Sequence, residues 1–258
     1  MFLRPLLRTL FCLFLALPLA AQGPGRHVQV AAAADLKWAL EDLKQAFART
    51  RPDLQIRVTF GSSGQFYAQL TQRAPFDLFL SADLDYARRL ADQGLGRPGS
   101  LFKYGVGRLV LWVPAGSPLN LALGLAALND PAVKHVAMAN PTHAPYGRAA
   151  QAALDHAGLR AGLQSRLVLG ENVGQAAQFV QTGAAEAGLL ALSLAMAPEM
   201  RKRGQYWTVP QGFHPPLVQG GLVLGWAQDP EAAQAFKNFL LSPQGVGILR
   251  RFGFEPAS

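Results

Sequence analysis

Apolar and polar positions along this chain switch repeatedly between short strand-like runs and a helical period. Val28–Ala32 is a compact apolar run, and from Asp35 the apolar residues fall at Leu36, Leu40, Leu43 and Phe47, one face of a helix. Gln55–Phe60 alternates with Ile56, Val58 and Phe60 on one side, and Gly64–Gln72 is helical again. Asp77–Ser81 is a buried strand, and Asp83 caps a helix that runs to Gln93 and stops at Gly94. Arg108–Val113 is strongly strand-like, and a less regular segment follows as far as Pro131. Then come Lys134–Ala139 (strand), Tyr146–Ala157 (helix), Arg166–Leu169 (strand), Val173–Thr182 (helix) and Ala187–Ala191 (strand). Tyr206–Val209 and Leu217–Leu224 are late strands, and helices are expected over Pro230–Leu241 and Pro243–Arg251, each opening on a proline suited to a first helical turn.

Alternation of this kind predicts an α/β protein whose sheets are mostly parallel and covered by helices on both faces. The βα units fall into two runs, one before about Gly105 and one after about Lys134, with Tyr104–Val113 and Pro210–Leu222 as crossings between them. Two lobes joined by two crossings make a hinged cleft. The expected division is a leader over 1–21, a first lobe from 26–106 and 213–258, and a second lobe over 107–212. In open α/β sheets ligands sit outside the carboxyl ends of the strands.

The N-terminus changes the setting. Arg4 and Arg8 precede an apolar run from Leu10 to Ala20, and Ala20-Ala21 offers small residues for cleavage, the pattern of a secretory signal. The run is too short to span a bilayer. Cys12, the only cysteine, lies inside it, so the exported chain has no disulfide, thiolate metal site or cysteine nucleophile. Half of the sequence is hydrophobic and 16% is charged, enough apolar surface for a substantial core. The formal net charge is +8, but the basic residues cluster only at Arg88-Arg89, Arg201-Lys202-Arg203 and Arg250-Arg251, without interleaved aromatics. No nucleic-acid surface is expected. A mild positive field favours anion capture.

Four short stretches stand where a strand run gives way to a helix: Ala33-Ala34-Asp35-Leu36, Gly61-Ser62-Ser63-Gly64, Ala144-Pro145-Tyr146-Gly147 and Gly170-Glu171-Asn172-Val173. Each helix start exposes unpaired backbone N–H groups and about half a positive charge. One is a common anion seat, and four that converge would make a cage for a small oxyanion from neutral groups. Ser62 and Ser63 can add hydroxyl donors, Tyr146 and Val173 backbone N–H groups, and Asn172 a side-chain amide. Taken singly, a serine before a helix is equally an N-cap and Pro-Tyr-Gly equally a turn.

Six stretches also resemble the periplasmic molybdate-binding proteins of ABC transporters. They are Val28-Gln29-Val30-Ala31-Ala32-Ala33-Ala34-Asp35-Leu36-Lys37, Phe60-Gly61-Ser62-Ser63-Gly64-Gln65-Phe66-Tyr67, Ala74-Pro75-Phe76-Asp77-Leu78-Phe79-Leu80-Ser81-Ala82-Asp83, Tyr104-Gly105-Val106-Gly107-Arg108-Leu109-Val110-Leu111-Trp112, His143-Ala144-Pro145-Tyr146-Gly147 and Leu169-Gly170-Glu171-Asn172-Val173. The likeness runs in order from about residue 28 to Arg251-Phe252-Gly253-Phe254. It implies a two-lobed periplasmic binding fold of type II that closes on molybdate or tungstate and hands it to an inner-membrane permease. It implies no cofactor, no enzymatic activity and a monomer. Carried over by position, the ligand contacts fall on Ala34 and Asp35, on Ser63 with Ser62 beside it, on Tyr146 and on Val173, with Asn172 as a further candidate. A tyrosine that some members contribute from the last strand of the second lobe is replaced by Ala191, and the Pro-Tyr-Gly subgroup is expected to use Tyr146 instead.

Asp35 departs from the family, where serine or asparagine is common. A carboxylate about 4 Å from one unit of negative charge costs about 4 kcal/mol at an effective dielectric of 20. Three readings of it stay open: a helix cap turned away from the ligand, a carboxylate that binds the metal centre of the oxyanion directly, and an acceptor for a proton carried by some other ligand. Two rivals to the molybdate reading follow. One is a receptor of the same fold for another oxyanion or a metal ion. The other is a periplasmic hydrolase using Ser63 with His143 as base, for which no third member is evident. His135, His143 and His156 have no metal-ligand spacing, and neither a Gly-x-Ser-x-Gly elbow nor a phosphate-binding P-loop occurs.

Overall fold

A computed structural model describes residues 26–257; the leader expected over 1–21 lies outside them. In chain order the elements are β1 (Arg26–Ala33), α1 (Lys37–Thr50), β2 (Leu54–Gly61), α2 (Ser63–Thr71), β3 (Leu78–Ser81), α3 (Leu84–Asp92), β4 (Phe102–Gly107), β5 (Leu109–Pro114), β6 (Val136–Ala139), α4 (Pro145–His156), α5 (Arg160–Leu163), β7 (Leu167–Gly170), α6 (Val173–Gln181), β8 (Ala187–Ala191), α7 (Leu192–Ala195), α8 (Pro198–Arg203), β9 (Gly204–Thr208), β10 (Leu217–Val223), α9 (Pro230–Leu241) and α10 (Pro243–Arg251). A 3-10 turn over Ala34–Leu36 leads into α1. Among the described residues no helix is long and apolar enough to cross a membrane.

The strands form two five-stranded sheets, ordered β2-β1-β3-β10-β4 and β7-β6-β8-β5-β9. In the first, β10 runs antiparallel to both neighbours while β1, β2 and β3 pair in parallel. In the second, β5 is the reversed strand and β6 pairs in parallel with β7 and β8. Each sheet is therefore mostly parallel with one returning strand. Arg108 alone separates β4 in the first sheet from β5 in the second, and the segment after β9 carries the chain back to β10. This two-lobed arrangement is the expected fold class.

Register places the helix starts side by side. β1 and β2 pair from Arg26 with Leu54 to Ala33 with Gly61, so the turns beginning at Ala34 and Ser62 leave the sheet at one level. In the second sheet Ala139 pairs with Gly170, and the loops that follow lead to the starts of α4 and α6.

Packing accounts for the helical faces. The first lobe buries Leu40, Leu43 and Phe47 of α1 with Phe236 and Leu240 of α9, the rings of Phe47 and Phe236 meeting edge-on at 5.2 Å. The second lobe's core holds Leu109–Val113, Met138, Leu154 and Leu189. Buried Asp77 accepts the backbone N–H of Gln29 and of Gln228, each at 2.7 Å, tying β1 to the entry of α9. The sequence pattern does not separate β4 from β5. Phe102, Tyr104 and Val106 alternate as a strand should, but Gly105 and Gly107 weaken the signal and Arg108 alone marks the break, so it is the pairing with β10 that sets β4 apart.

Candidate functional site

The four helix starts meet across the gap between the lobes and line a small cavity of ≈ 10 Å³. From the first lobe the walls are Ala34 and Asp35, then Ser62 and Ser63, with Ala82. From the second they are Ala144, Pro145 and Tyr146, then Asn172 and Val173. Each oxyanion-contact candidate from the sequence, Ala34, Asp35, Ser62, Ser63, Tyr146, Asn172 and Val173, lines this space, and His143 does not. The volume is far below the ≈ 300 Å³ at which organic-ligand pockets begin and close to the room that one water needs, so the space suits only an ion of a few atoms. A broader depression between Trp38, Phe60, Gln178 and Met200 shares Ala34 and Asn172 with it and opens to solvent.

Local geometry leaves donors facing the space. Ser62 is the N-cap of α2, its Oγ accepting the N–H of Gln65 at 3.3 Å. Ser63, the first residue of that helix, is fully buried, and its Oγ accepts the N–H of Ala82 at 2.9 Å. With that lone pair engaged, the hydroxyl hydrogen of Ser63 remains to donate. Asn172 caps α6 through Oδ1, which accepts the N–H of Gln175 at 3.1 Å and leaves the amide nitrogen for another acceptor. Pro145 at the head of α4 has no N–H, so Tyr146 is the first backbone donor of that helix. Ala191 is buried at the end of β8 and offers no side-chain donor.

Asp35 does not cap a helix. Ala33 holds the N-cap position of the 3-10 turn, Leu36 that of α1, and neither start has a side-chain cap bond. Asp35 sits second in the turn, with its side chain turned inward and 1% exposed. Oδ2 accepts from Gln219 Nε2 at 2.6 Å, and Oδ1 is buried with no partner. Burial pushes the carboxyl up from 3.8 to about 6, opposed by the hydrogen bond from Gln219, by the Tyr146 hydroxyl and by the backbone N–H groups of Asp35 and Leu36. The same burial, with Asp35 beside them, raises the Tyr104 and Tyr146 phenols well above their ordinary 10. The reading of Asp35 as a cap is thus corrected in position: the carboxylate lies close to the N–H groups of its own turn but holds no cap position, and its side-chain hydrogen-bond partner is 184 positions away.

Three residues of this network were not singled out from the sequence. Gln219 on β10 is fully buried; its Oε1 accepts from the Tyr104 hydroxyl at 2.8 Å, and its Nε2 reaches the Tyr146 hydroxyl at 3.3 Å. Gly107 at the end of β4 leaves room for that hydroxyl, since a Cβ there would lie 2.2 Å from Tyr146 Oη. A glutamine at an inward position of the apolar strand Leu217–Val223 was the available signal, because a polar side chain at such a place requires a buried partner.

The lobes are bonded to each other around the rim. His143 Nδ1 lies 2.9 Å from Ser62 Oγ, and the His143 carbonyl accepts the N–H of Gly64 at 2.9 Å. Gln65 donates to Glu171 at 2.6 Å, and Glu171 stands 3.5 Å from His143 Nε2. Arg148 of α4 reaches Asp83 at 2.5 Å and the Tyr86 hydroxyl at 3.0 Å, and Ser193 Oγ donates to the Asp35 carbonyl at 2.7 Å. The structure is a closed form. The expected pairing of Ser63 with His143 does not occur. The imidazole contacts Ser62, whose Oγ already caps α2, and its other neighbour Glu171 is 63% exposed and shared with Gln65. These contacts join two lobes. Among the described residues no three His, Cys, Asp or Glu side chains are grouped to hold a metal ion.

Comparison with known proteins agrees with this architecture. Residues 28–255 match the model of the family described as bacterial extracellular solute-binding protein. The molybdate-binding protein ModA of Rhodobacter capsulatus is 36% identical over 240 residues, covering 93% of this chain and 91% of that one. ModA of Azotobacter vinelandii is 36% identical over 236 residues, 92% of each. The solved structure of the Azotobacter vinelandii periplasmic molybdate-binding protein superposes with a TM-score of 0.83 at 32% identity, covering 90% of this chain and 100% of that one. The chain belongs to the bacterial extracellular solute-binding protein family.

Proposed function

We propose that this protein is a periplasmic receptor that captures molybdate or tungstate between its lobes and delivers it to an inner-membrane ABC permease. The observation that carries the reading is the small space between the lobes, walled by four helix starts with no cationic side chain among its lining residues. Such a cage stabilises a dianion through pre-oriented N–H and O–H dipoles rather than counter-charge. Ser63 and the backbone N–H groups of Ala34, Tyr146 and Val173 are its donors, with Ser62, Asn172 and Asp35 beside them. Similarity to molybdate-binding relatives over more than nine-tenths of the chain supports the choice of anion. On this reading the leader is removed, residues 26–106 and 213–258 form one lobe and 107–212 the other, and the receptor acts as a monomer without catalytic activity.

Sulfate has the same charge and shape as molybdate, so discrimination rests on the size of the closed cage. The test is a melting scan of ligand-stripped protein with each anion at one ionic strength. A ligand at a hundred times its Kd adds about 2.7 kcal/mol of stability, which raises Tm by roughly 5–10 °C for a chain of this size. Molybdate and tungstate should give that shift, and sulfate and phosphate little or none. No shift with molybdate or tungstate at millimolar concentration overturns the choice of ligand. No shift with any small anion overturns the cage.

A further inference from the structure

We propose that Asp35 receives the oxyanion as a neutral acid, donating a hydrogen bond from its free oxygen, so that each anion captured brings one proton into the closed protein. The proposal rests on the oxyanion reading above and deepens it.

Geometry separates the two carboxyl oxygens. Oδ2 is held by the Gln219 amide, and Oδ1 is buried without a partner in a residue that lines the cage. The amide is oriented by its own oxygen, which faces the Tyr104 hydroxyl that also lies 2.9 Å from the Ser81 carbonyl. Around Asp35, β4 presents Tyr104, α4 presents Tyr146, β10 presents Gln219 and α7 presents the Ser193 hydroxyl. From α6 the cage wall has Asn172 and Val173, and from α2 it has Ser62 and Ser63. Both tyrosines are neutral. Lys37, two positions along the chain, is exposed, and His143 is taken up by Ser62 and Glu171. Among the described residues no cation stands beside the Asp35 carboxylate to neutralise it, and a second anion must occupy the same small space. A proton on Oδ1 converts the one repulsive group of the cage into a donor. Burial, even against the hydrogen bonds that oppose it, already holds this carboxyl at about 6.

The step balances simply. A carboxylate, one proton from solvent and the oxyanion become a carboxylic acid hydrogen-bonded to the oxyanion, and no covalent bond of the ligand changes. Gln219 is a positioning residue in this scheme, since it acts only through Asp35.

The test is calorimetry of molybdate binding to the exported chain from pH 5.5 to 8.5, each pH in two buffers of different ionisation enthalpy. Wild type should take up close to one proton per anion at pH 7.5, and its affinity should fall by up to tenfold per pH unit above about 6. Asp35→Asn cannot titrate and should bind without proton uptake, with a flat pH profile. Gln219→Leu removes a bond that pulls the carboxyl down, so its fall in affinity should begin at higher pH. Wild-type binding with no proton uptake and no pH dependence overturns the proposal and leaves the receptor intact. Equal uptake in Asp35→Asn assigns the proton elsewhere and also overturns it. Absence of molybdate and tungstate binding at every pH removes the ligand reading, and this proposal with it.

Discussion

Gly107→Ala tests whether the closed form is the binding form. Gly107 has an ordinary φ, so alanine adds a methyl group and no backbone strain. That Cβ would stand 2.2 Å from Tyr146 Oη, 3.2 Å from Tyr146 Cζ and 2.6 Å from Gln219 Nε2. Gln219 belongs to the same sheet as Gly107 and ends in a flexible amide that can yield. Tyr146 comes from the other lobe on a rigid ring, 2% exposed, that has little freedom to move aside. The clash therefore falls mainly on closure. Overpacking by one methyl group costs about 1–3 kcal/mol, and a penalty confined to the closed state weakens binding by roughly 5- to 150-fold. Titration calorimetry with molybdate measures it. Melting without ligand should shift by no more than about 2 °C. Wild-type affinity in the variant would refute the reasoning. So would an unliganded Tm that falls as far as the affinity does, because the clash would then lie within one lobe.

Ser63→Ala should cost about 1.5–3 kcal/mol of oxyanion affinity, the range for a hydrogen bond to a charged group, with calorimetry as the measure. Ser62→Ala should instead act mainly on stability, lowering it by about 1 kcal/mol through loss of the α2 cap and Tm by roughly 2–4 °C in a melting scan. Asp77→Ala removes the acceptor of the partly buried Gln29 and Gln228 N–H groups, so chemical denaturation should show a loss of about 1–3 kcal/mol, two ordinary hydrogen bonds.

Much of the fold is legible because its signals are local. The caps at Asp83, Asn172 and Asp229, and the prolines opening α4, α9 and α10, mark helix starts within one turn of sequence. Gly94, Gly158 and Gly183 mark helix ends by adopting φ of 70°, 67° and 76°. The cage residues are legible for the same reason, each standing where a strand passes into a helix. Illegible features depend on distant partners. β4 is held as a strand by β10 more than a hundred positions later. The four-residue α7 and the six-residue α8 are too short to show a period. Asp35 shows the limit most clearly. Local rules favour a cap for an aspartate at that place, and the side chain is drawn inward by Gln219, Tyr146 and Tyr104, none of which neighbours it in sequence.

The cross-lobe bonds at the rim also govern traffic. With Gln65 on Glu171, Ser62 on His143 and Arg148 on Asp83, the lobes are latched around the small space, so release of an ion held by both lobes is tied to their parting. Departure is then a gate opening rather than a competition for the anion. The gate is weakly barred, because its charged members are partly exposed and such pairs are worth at most about 1 kcal/mol each. Any receiving partner that grips the two lobes and turns them apart must break these bonds together with those from Gly64 to His143 and from Ser193 to Asp35. It empties the cage without ever offering the ion a tighter site.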